Sequence, residues 1–159
     1  MRLTLCPARQ SRFASLLGTV FFFCALSASA QTLVITSSPF NASTGSADNA
    51  SAIQAAINAV GSGGTVVVPA GTFLSGPLTL KSNMTFTISA GATLEMTAMG
   101  TFPQNTDFLF GSKISNITIN GSGVMEGQGQ AWWTAFNNGG TDNRPPAMIE
   151  LTGCTGVTV

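Results

Sequence analysis

Short runs of alternating apolar residues recur along this chain, and the distance between recurrences is what most restricts its fold. Ser82-Asn83-Met84-Thr85-Phe86, followed by Gly91-Ala92-Thr93-Leu94-Glu95, is echoed by Ser115-Asn116-Ile117-Thr118-Ile119 and then Gly123-Val124-Met125-Glu126. The two starts lie 33 residues apart, and Thr155-Gly156-Val157-Thr158-Val159 opens a third copy 40 residues further on, the extra length falling around Trp132 to Arg144. Side chains that alternate with period two, as Met84, Phe86 and Ile88 do, read as strands with one buried face. Further strands are expected at Thr65–Val68, Pro77–Leu80, Ala92–Met96 and Met148–Leu151, with Gly, Asn and Pro between them. A repeat that holds several short strands cannot bury its apolar face alone and must stack on its neighbours. The spacing therefore predicts an all-β fold, a right-handed parallel β-helix. Asn120-Gly121 is a hairpin signal and keeps an antiparallel sandwich open as a rival.

One helix is expected. Ile53, Ala56, Ile57 and Val60 fall at i, i+3, i+4 and i+7 and form an apolar stripe. Ser51 and Gln54 match a capping box, with Asp48 or Asn49 as an alternative cap one turn earlier, and Gly61 supplies a stop. Beyond Gly63-Gly64 the pattern predicts no further helix. An amphipathic helix before the first coil would cover the apolar end that a solenoid otherwise exposes. At the other end the chain reaches Val157-Thr158-Val159 in mid-strand without a polar cap, so it is expected to be the leading, truncated part of a longer protein.

Residues 1–30 carry a different message. Arg2, Arg9 and Arg12 precede an apolar run from Phe13 to Leu26, which closes in Ala28-Ser29-Ala30. That is the pattern of a cleaved secretory signal, and the run is short of the ~20 residues a membrane-spanning helix needs. Residues 31–47, rich in Ser, Thr, Ala and Asn, read as an extended lead-in segment, and 48–159 as the coils. The expected location is extracellular, or periplasmic in a Gram-negative host, with no membrane contact after cleavage. Without the signal, Lys81, Lys113 and Arg144 face six acids, Asp48, Glu95, Asp107, Glu126, Asp142 and Glu150, for a formal charge of −3. Such a chain has no basic excess for nucleic acid. Three isolated cations make no patch for a polyanion and read as solvated surface charges. The chain has no histidine, so no Ser-His-Asp triad and no His-ligated metal can be built within it. Cys154, alone after cleavage, has no partner in the mature chain and reads as a small buried apolar side chain.

Several segments in order carry a resemblance. Ala52-Ile53-Gln54-Ala55-Ala56-Ile57, Gly63-Gly64-Thr65-Val66-Val67-Val68-Pro69-Ala70-Gly71-Thr72-Phe73 and Ser75-Gly76-Pro77-Leu78-Thr79-Leu80-Lys81-Ser82-Asn83 come first. They are followed by Ile119-Asn120-Gly121-Ser122-Gly123-Val124-Met125-Glu126-Gly127-Gln128-Gly129 with Trp132-Trp133, and by Arg144-Pro145-Pro146-Ala147-Met148-Ile149 with Cys154. Together they resemble the N-terminal part of family 28 glycoside hydrolases, the polygalacturonases and their pectin-degrading relatives. Glu126 stands where the family often has Asp, and Asp48-Asn49 where it often has two acids. The resemblance implies hydrolysis of α-1,4-galacturonosidic bonds by inversion, on a pectic polysaccharide, by a monomer without metal or cofactor. Of the family's catalytic motifs only an N-T-D tripeptide occurs, at Asn105-Thr106-Asp107, and it stands without D-D, G-H-G or R-I-K. No catalytic residue is therefore assigned in this chain, those residues being expected beyond Val159, and the segment alone is expected to be inactive.

The acids support that expectation. An inverting pair stands roughly 6.5–9.5 Å apart, and no two acids here are adjacent or at i, i+2. Asp107 and Asp142 fall in or beside loops, and Glu95, Glu126 and Glu150 at strand positions; stacked coils could still bring distant acids together. Two alternatives remain. A pectate lyase-like enzyme would need a cluster of oxygen ligands for Ca²⁺, which the sequence does not show. A non-catalytic carbohydrate-binding or adhesin β-helix would lack paired aspartates in its continuation. Trp132-Trp133 suits either a sugar platform or a packed loop anchor, with one indole turned inward, and no substrate-binding residue is assigned. Of the sequons at Asn41, Asn49, Asn83 and Asn116, the last two are expected to bridge coils.

Overall fold

A computed structural model describes residues 30–103, 105–139 and 145–159. Residues 1–29 of the expected signal lie outside the described residues, as do Asp142 and Arg144. The elements run β1 (Thr32–Val34), α1 (Ala50–Ala59), β2 (Gly64–Val68), β3 (Gly71–Ser75), β4 (Leu78–Thr79), β5 (Met84–Ile88), β6 (Ala92–Met96), β7 (Leu109–Ser112), β8 (Ser115–Gly121), β9 (Val124–Glu126), α2 (Gly129–Asn137), β10 (Ile149–Thr152) and β11 (Thr155–Thr158).

Successive strands pass from one wall to the next. The sheets are ordered β1-β2-β5-β8-β11, β3-β6-β9 and β4-β7-β10, so each full coil places one strand in each of three walls. Strand pairing is parallel throughout the described residues. The chain is a parallel β-helix. Met84 lies opposite Ile117 and Ser115 opposite Thr155, which are the 33- and 40-residue spacings seen in the sequence. The Asn120-Gly121 hairpin signal is overridden: Gly121 ends β8 in parallel register with Ile88.

Alternate side chains of each strand point into the prism. Val66, Phe86 and Ile119 stack in one row, and Phe73, Leu94 and Met125 in a second. Leu78, Leu109 and Ile149 form a third. All but Met125 and Ile149 are buried, and those two are half-buried. Burying each such side chain fully is worth about 1.5–3 kcal/mol, so the rows hold the coils together. Left-handed residues stand at the leading edge of the longest sheet, Gly63 (φ 77°) and Asn83 (59°) just before β2 and β5, and Asn116 (56°) and Gly156 (63°) as the second residues of β8 and β11. Asn116 Nδ2 donates to Asn83 Oδ1 across the coils at 2.9 Å, the bridging expected of these two asparagines. The other sequons differ: Asn41 is exposed, while Asn49 is 3% exposed and bonded through its amide to Ser43 and Leu74.

Helix α1 closes the first coil. It buries Ile53, Ala56 and Ile57 and packs on β3 and β4, the edge strands of their sheets, while β1 covers β2. Two details of the expected caps are corrected. The Ser51/Gln54 box does not form, because the helix starts earlier and Asp48 Oδ1 accepts from the N–H groups of Ala50 (2.8 Å) and Gly76 (2.9 Å). Gly61 is not a left-handed stop. The extended Val60 (φ −59°, ψ 131°) ends the helix, and Lys81 Nζ donates to the carbonyls of Asn58 (2.8 Å) and Val60. A cation at a helix C-terminus satisfies orphan carbonyls and meets the negative end of the dipole. Lys81 is thus a cap residue rather than a free surface charge.

Gln54 is released from capping to serve the sheet. Its Nε2 donates to Thr79 O (3.0 Å) and its Oε1 accepts from Thr79 N–H (2.8 Å), as a neighbouring strand would. Gln54→Ala is expected to lower stability by about 1 kcal/mol, the net worth of a partly solvated hydrogen-bond pair. The urea midpoint should fall while the far-ultraviolet circular dichroism keeps its β-sheet form.

The second correction of the fold is α2. It interrupts the strand pattern after Gln128, where no helix was expected, because Trp132 (8% exposed) gives the segment a single inward anchor rather than a long apolar stripe. No helix among the described residues is long and apolar enough to cross a membrane.

Candidate functional site

Two cavities lie along the corner where the chain passes from the β3-β6-β9 wall to the β4-β7-β10 wall. One, about 220 Å³, is lined by Pro77, Leu78, Thr79, Asn105, Thr106, Asp107 and Phe110. The other, about 280 Å³, is lined by Gly129, Trp132, Trp133, Phe136 and Pro145.

In the first, Asp107 stands just before β7 and is 7% exposed. Its Oδ1 accepts from Ala147 N–H at 2.8 Å, and Phe108 N–H donates to Ala147 O at 2.9 Å. The aspartate thereby fixes the approach of β10 to β7. Thr106 Oγ1 donates to Pro103 O at 2.6 Å and tightens the turn beside it. This cavity combines amide, hydroxyl and carboxylate groups with the Phe110 ring, a lining that can hydrogen-bond sugar hydroxyls.

Among the described residues, stacking brings together one pair of acids far apart in sequence. Glu95 on β6 and Glu126 on β9 are register partners on the outer face of their wall, where neighbouring strands stand about 4.8 Å apart. Gln128 serves both. Its Nε2 donates to Glu95 Oε1 (2.9 Å) and to Met96 O (2.8 Å), and its N–H donates to Glu126 Oε1 (2.9 Å). Gln128 is itself left-handed (φ 51°) and is the last residue before α2, so the two carboxylates position that helix. Among the described residues no three His, Cys, Asp or Glu side chains group as a metal site.

The remaining polar groups are placed separately. Asp48 belongs to the α1 cap, and Glu150 on β10 accepts from Thr152 Oγ1 (3.0 Å). Lys113 occupies a left-handed, exposed turn position (φ 55°). Cys154 is free and half-buried rather than buried, its Sγ 3.6 Å from Gly111 O. Of the two indoles, Trp132 packs inward at 8% exposure and Trp133 faces out at 64%, the division expected of adjacent tryptophans.

Comparison with known proteins agrees with this architecture. The model of glycosyl hydrolases family 28 matches residues 61–159. A probable endo-xylogalacturonan hydrolase A of Aspergillus flavus is 31% identical over 124 residues, covering 72% of this chain and 29% of the relative. A probable polygalacturonase of Vitis vinifera is 28% identical over 108 residues, covering 56% and 22%. The chain thus spans less than a third of the length of these curated relatives. Among solved structures, the family 28 exopolygalacturonase of Yersinia enterocolitica superposes with a TM-score of 0.65 at 21% identity, over 82% of this chain and 34% of that one. The polygalacturonase of Erwinia carotovora ssp. carotovora superposes with a TM-score of 0.57 at 25% identity, over 81% and 41%. With the family model matched over most of the chain and the coils arranged as in these enzymes, the protein belongs to glycosyl hydrolase family 28.

Proposed function

We propose that the chain is the leading part of a secreted, polygalacturonase-like enzyme that hydrolyses α-1,4-galacturonosidic bonds in the galacturonan backbone of pectin, with inversion. The observation that carries this reading is the family 28 match across residues 61–159, continuous with relatives named for polygalacturonan and xylogalacturonan hydrolysis. Inversion needs an acid and a base carboxylate with room for a water between them, roughly 6.5–9.5 Å apart. Among the described residues the one register pair of acids, Glu95 and Glu126, has an oxygen of each committed to Gln128. The reading therefore places the catalytic carboxylates in coils beyond Val159. The described coils supply the capped start of the solenoid and the first stretch of the substrate-facing corner. The enzyme acts as a monomer outside the cell, and without a metal.

Residues 31–159 expressed alone are expected to release no reducing ends from polygalacturonate or xylogalacturonan, while the whole gene product releases them. The first product anomer, followed by NMR, should be inverted. Turnover by residues 31–159 alone would move the catalytic site into the present coils. An ultraviolet-absorbing product lost on chelation would instead mark a Ca²⁺-dependent lyase.

A further inference from the structure

We propose that Asn41 is the acceptor of an N-linked glycan when the chain passes through a eukaryotic secretory pathway, and that the fold excludes a glycan from the other three sequons. This rests on the secreted reading above. The four sequons are Asn41-Ala42-Ser43, Asn49-Ala50-Ser51, Asn83-Met84-Thr85 and Asn116-Ile117-Thr118. Asn41 and Ser43 are both exposed, in the turn between β1 and α1. That turn is held by its own backbone. The N–H groups of Phe40 and Asn41 donate to Ser37 O (2.9 and 3.2 Å), and that of Ala42 to Ile35 O (2.9 Å). Among the described residues the Asn41 side chain makes one hydrogen bond, from Nδ2 to Pro39 O at 3.1 Å, and it is exposed. One of the two amide hydrogens therefore has no protein acceptor.

Transfer replaces one hydrogen on the amide nitrogen. The nitrogen bonds to the anomeric carbon of a lipid-pyrophosphate-linked oligosaccharide, the bond from that carbon to the phosphate oxygen breaks, and the lipid pyrophosphate leaves as the amide loses a proton. Asn41 gives up that hydrogen without losing a partner. Asn49 does not. It is 3% exposed, and its Nδ2 donates to both Ser43 O (3.1 Å) and Leu74 O (3.0 Å), so each hydrogen is already used. A glycan there would break a buried hydrogen bond and need an exit for a bulky polar chain from a closed site. Asn83 and Asn116 are joined by their 2.9 Å inter-coil bond. The same row continues to Gly156, where even a Cβ would lie 2.8 Å from Asn116 Oδ1. A sugar on either amide would stand in the path of the adjoining coil. Oligosaccharide transfer meets the chain as it emerges, before the coils close, so the fold acts as a filter. Chains modified at Asn49, Asn83 or Asn116 fail to close their coils, and chains modified at Asn41 close them.

The test is translation of the full chain with eukaryotic endoplasmic-reticulum microsomes, once with its own residues 1–30 and once with a standard cleavable leader in their place. Limited proteolysis isolates the folded fraction, and mass spectrometry after endoglycosidase treatment identifies the modified asparagine. The expected result under both leaders is a protease-resistant chain carrying a single glycan, at Asn41. Ser43→Ala should abolish the glycan and leave the resistance unchanged, whereas Ser43→Thr should keep both. Neither variant alters the left-handed Asn41 (φ 56°), so loss of the glycan reports the sequon and not the turn. Resistant chains that are bare at Asn41 would overturn the proposal. So would resistant chains modified at Asn49, Asn83 or Asn116, or the failure of any glycosylated chain to become resistant under the standard leader. Modification of Asn41 under the standard leader alone would support the acceptor assignment and remove the secreted reading of residues 1–30.

Discussion

Replacing Gly121 by Ala is expected to prevent the coil that begins with β8 from docking on the one before it. Gly121 has φ +124°, and a Cβ built there would lie 1.9 Å from Ile88 O, 2.7 Å from Ile88 C and 2.9 Å from Ile88 N. All three are backbone atoms of β5, the middle strand of the five-stranded sheet, so no side chain can swing aside. Relief requires the β5–β8 register to part where it ends, at the Ile88–Gly121 pair. The expected cost exceeds about 4 kcal/mol, the range reserved for substitutions that break a backbone contact. Gly63→Ala is the control. It also has a positive φ (+77°), but nothing lies within 4 Å of its Cβ. Only conformational strain remains there, about 1–2 kcal/mol. Urea unfolding and limited proteolysis should separate the two variants clearly. Equal destabilisation would mean that left-handed strain, not the close approach of coils, is what Gly121 relieves.

Phe86→Ala is expected to cost about 3–5 kcal/mol, as truncation of a fully buried aromatic does. Phe86 is 0% exposed and sits between Val66 and Ile119 in its row, with sheet on both sides. Neighbouring coils are held by the same ladder and cannot collapse into the space left behind. Against a total stability of about 5–15 kcal/mol this is a large fraction. Trp133→Ala removes a larger side chain from a site 64% exposed and should shift the midpoint by less than about 0.5 kcal/mol, as surface changes do. The comparison separates ring size from burial, and a similar loss in both would contradict the assigned core.

Much of this architecture was legible beforehand because a β-helix is local in a particular sense. Each strand pairs with the strand one coil away, so the pairing distance is written as the repeat. The 33- and 40-residue spacings became the observed registers of β5 with β8 and of β8 with β11. The apolar stripe of α1 and the inward phase of Met84, Phe86 and Ile88 were equally readable. Three strands escaped notice. β1 is short and half exposed, β3 joins Gly71 to Ser75 with a single large apolar residue facing in, and β7 contains Gly111. Their identity as strands comes from the partners that flank them. The capping box failed for a related reason. Ser51 and Gln54 have the right spacing, but an edge strand offers Gln54 two better-placed backbone partners at Thr79.

For the candidate site the division is sharper. Residue types alone showed that no histidine chemistry, no triad and no adjacent acid pair exist in this chain, and that one of two neighbouring indoles would turn inward. They could not show that Glu95 and Glu126 meet across 31 residues of sequence, or that Gln128 bridges them into a pivot for α2. Nor could they place Asp107 against the backbone of Ala147. Periodicity belongs to the chain itself, because an alternating strand needs one buried face and a repeat must stack to find it. Which polar groups become neighbours is decided only when the coils stack, since loop lengths between strands set the register and the register sets who faces whom.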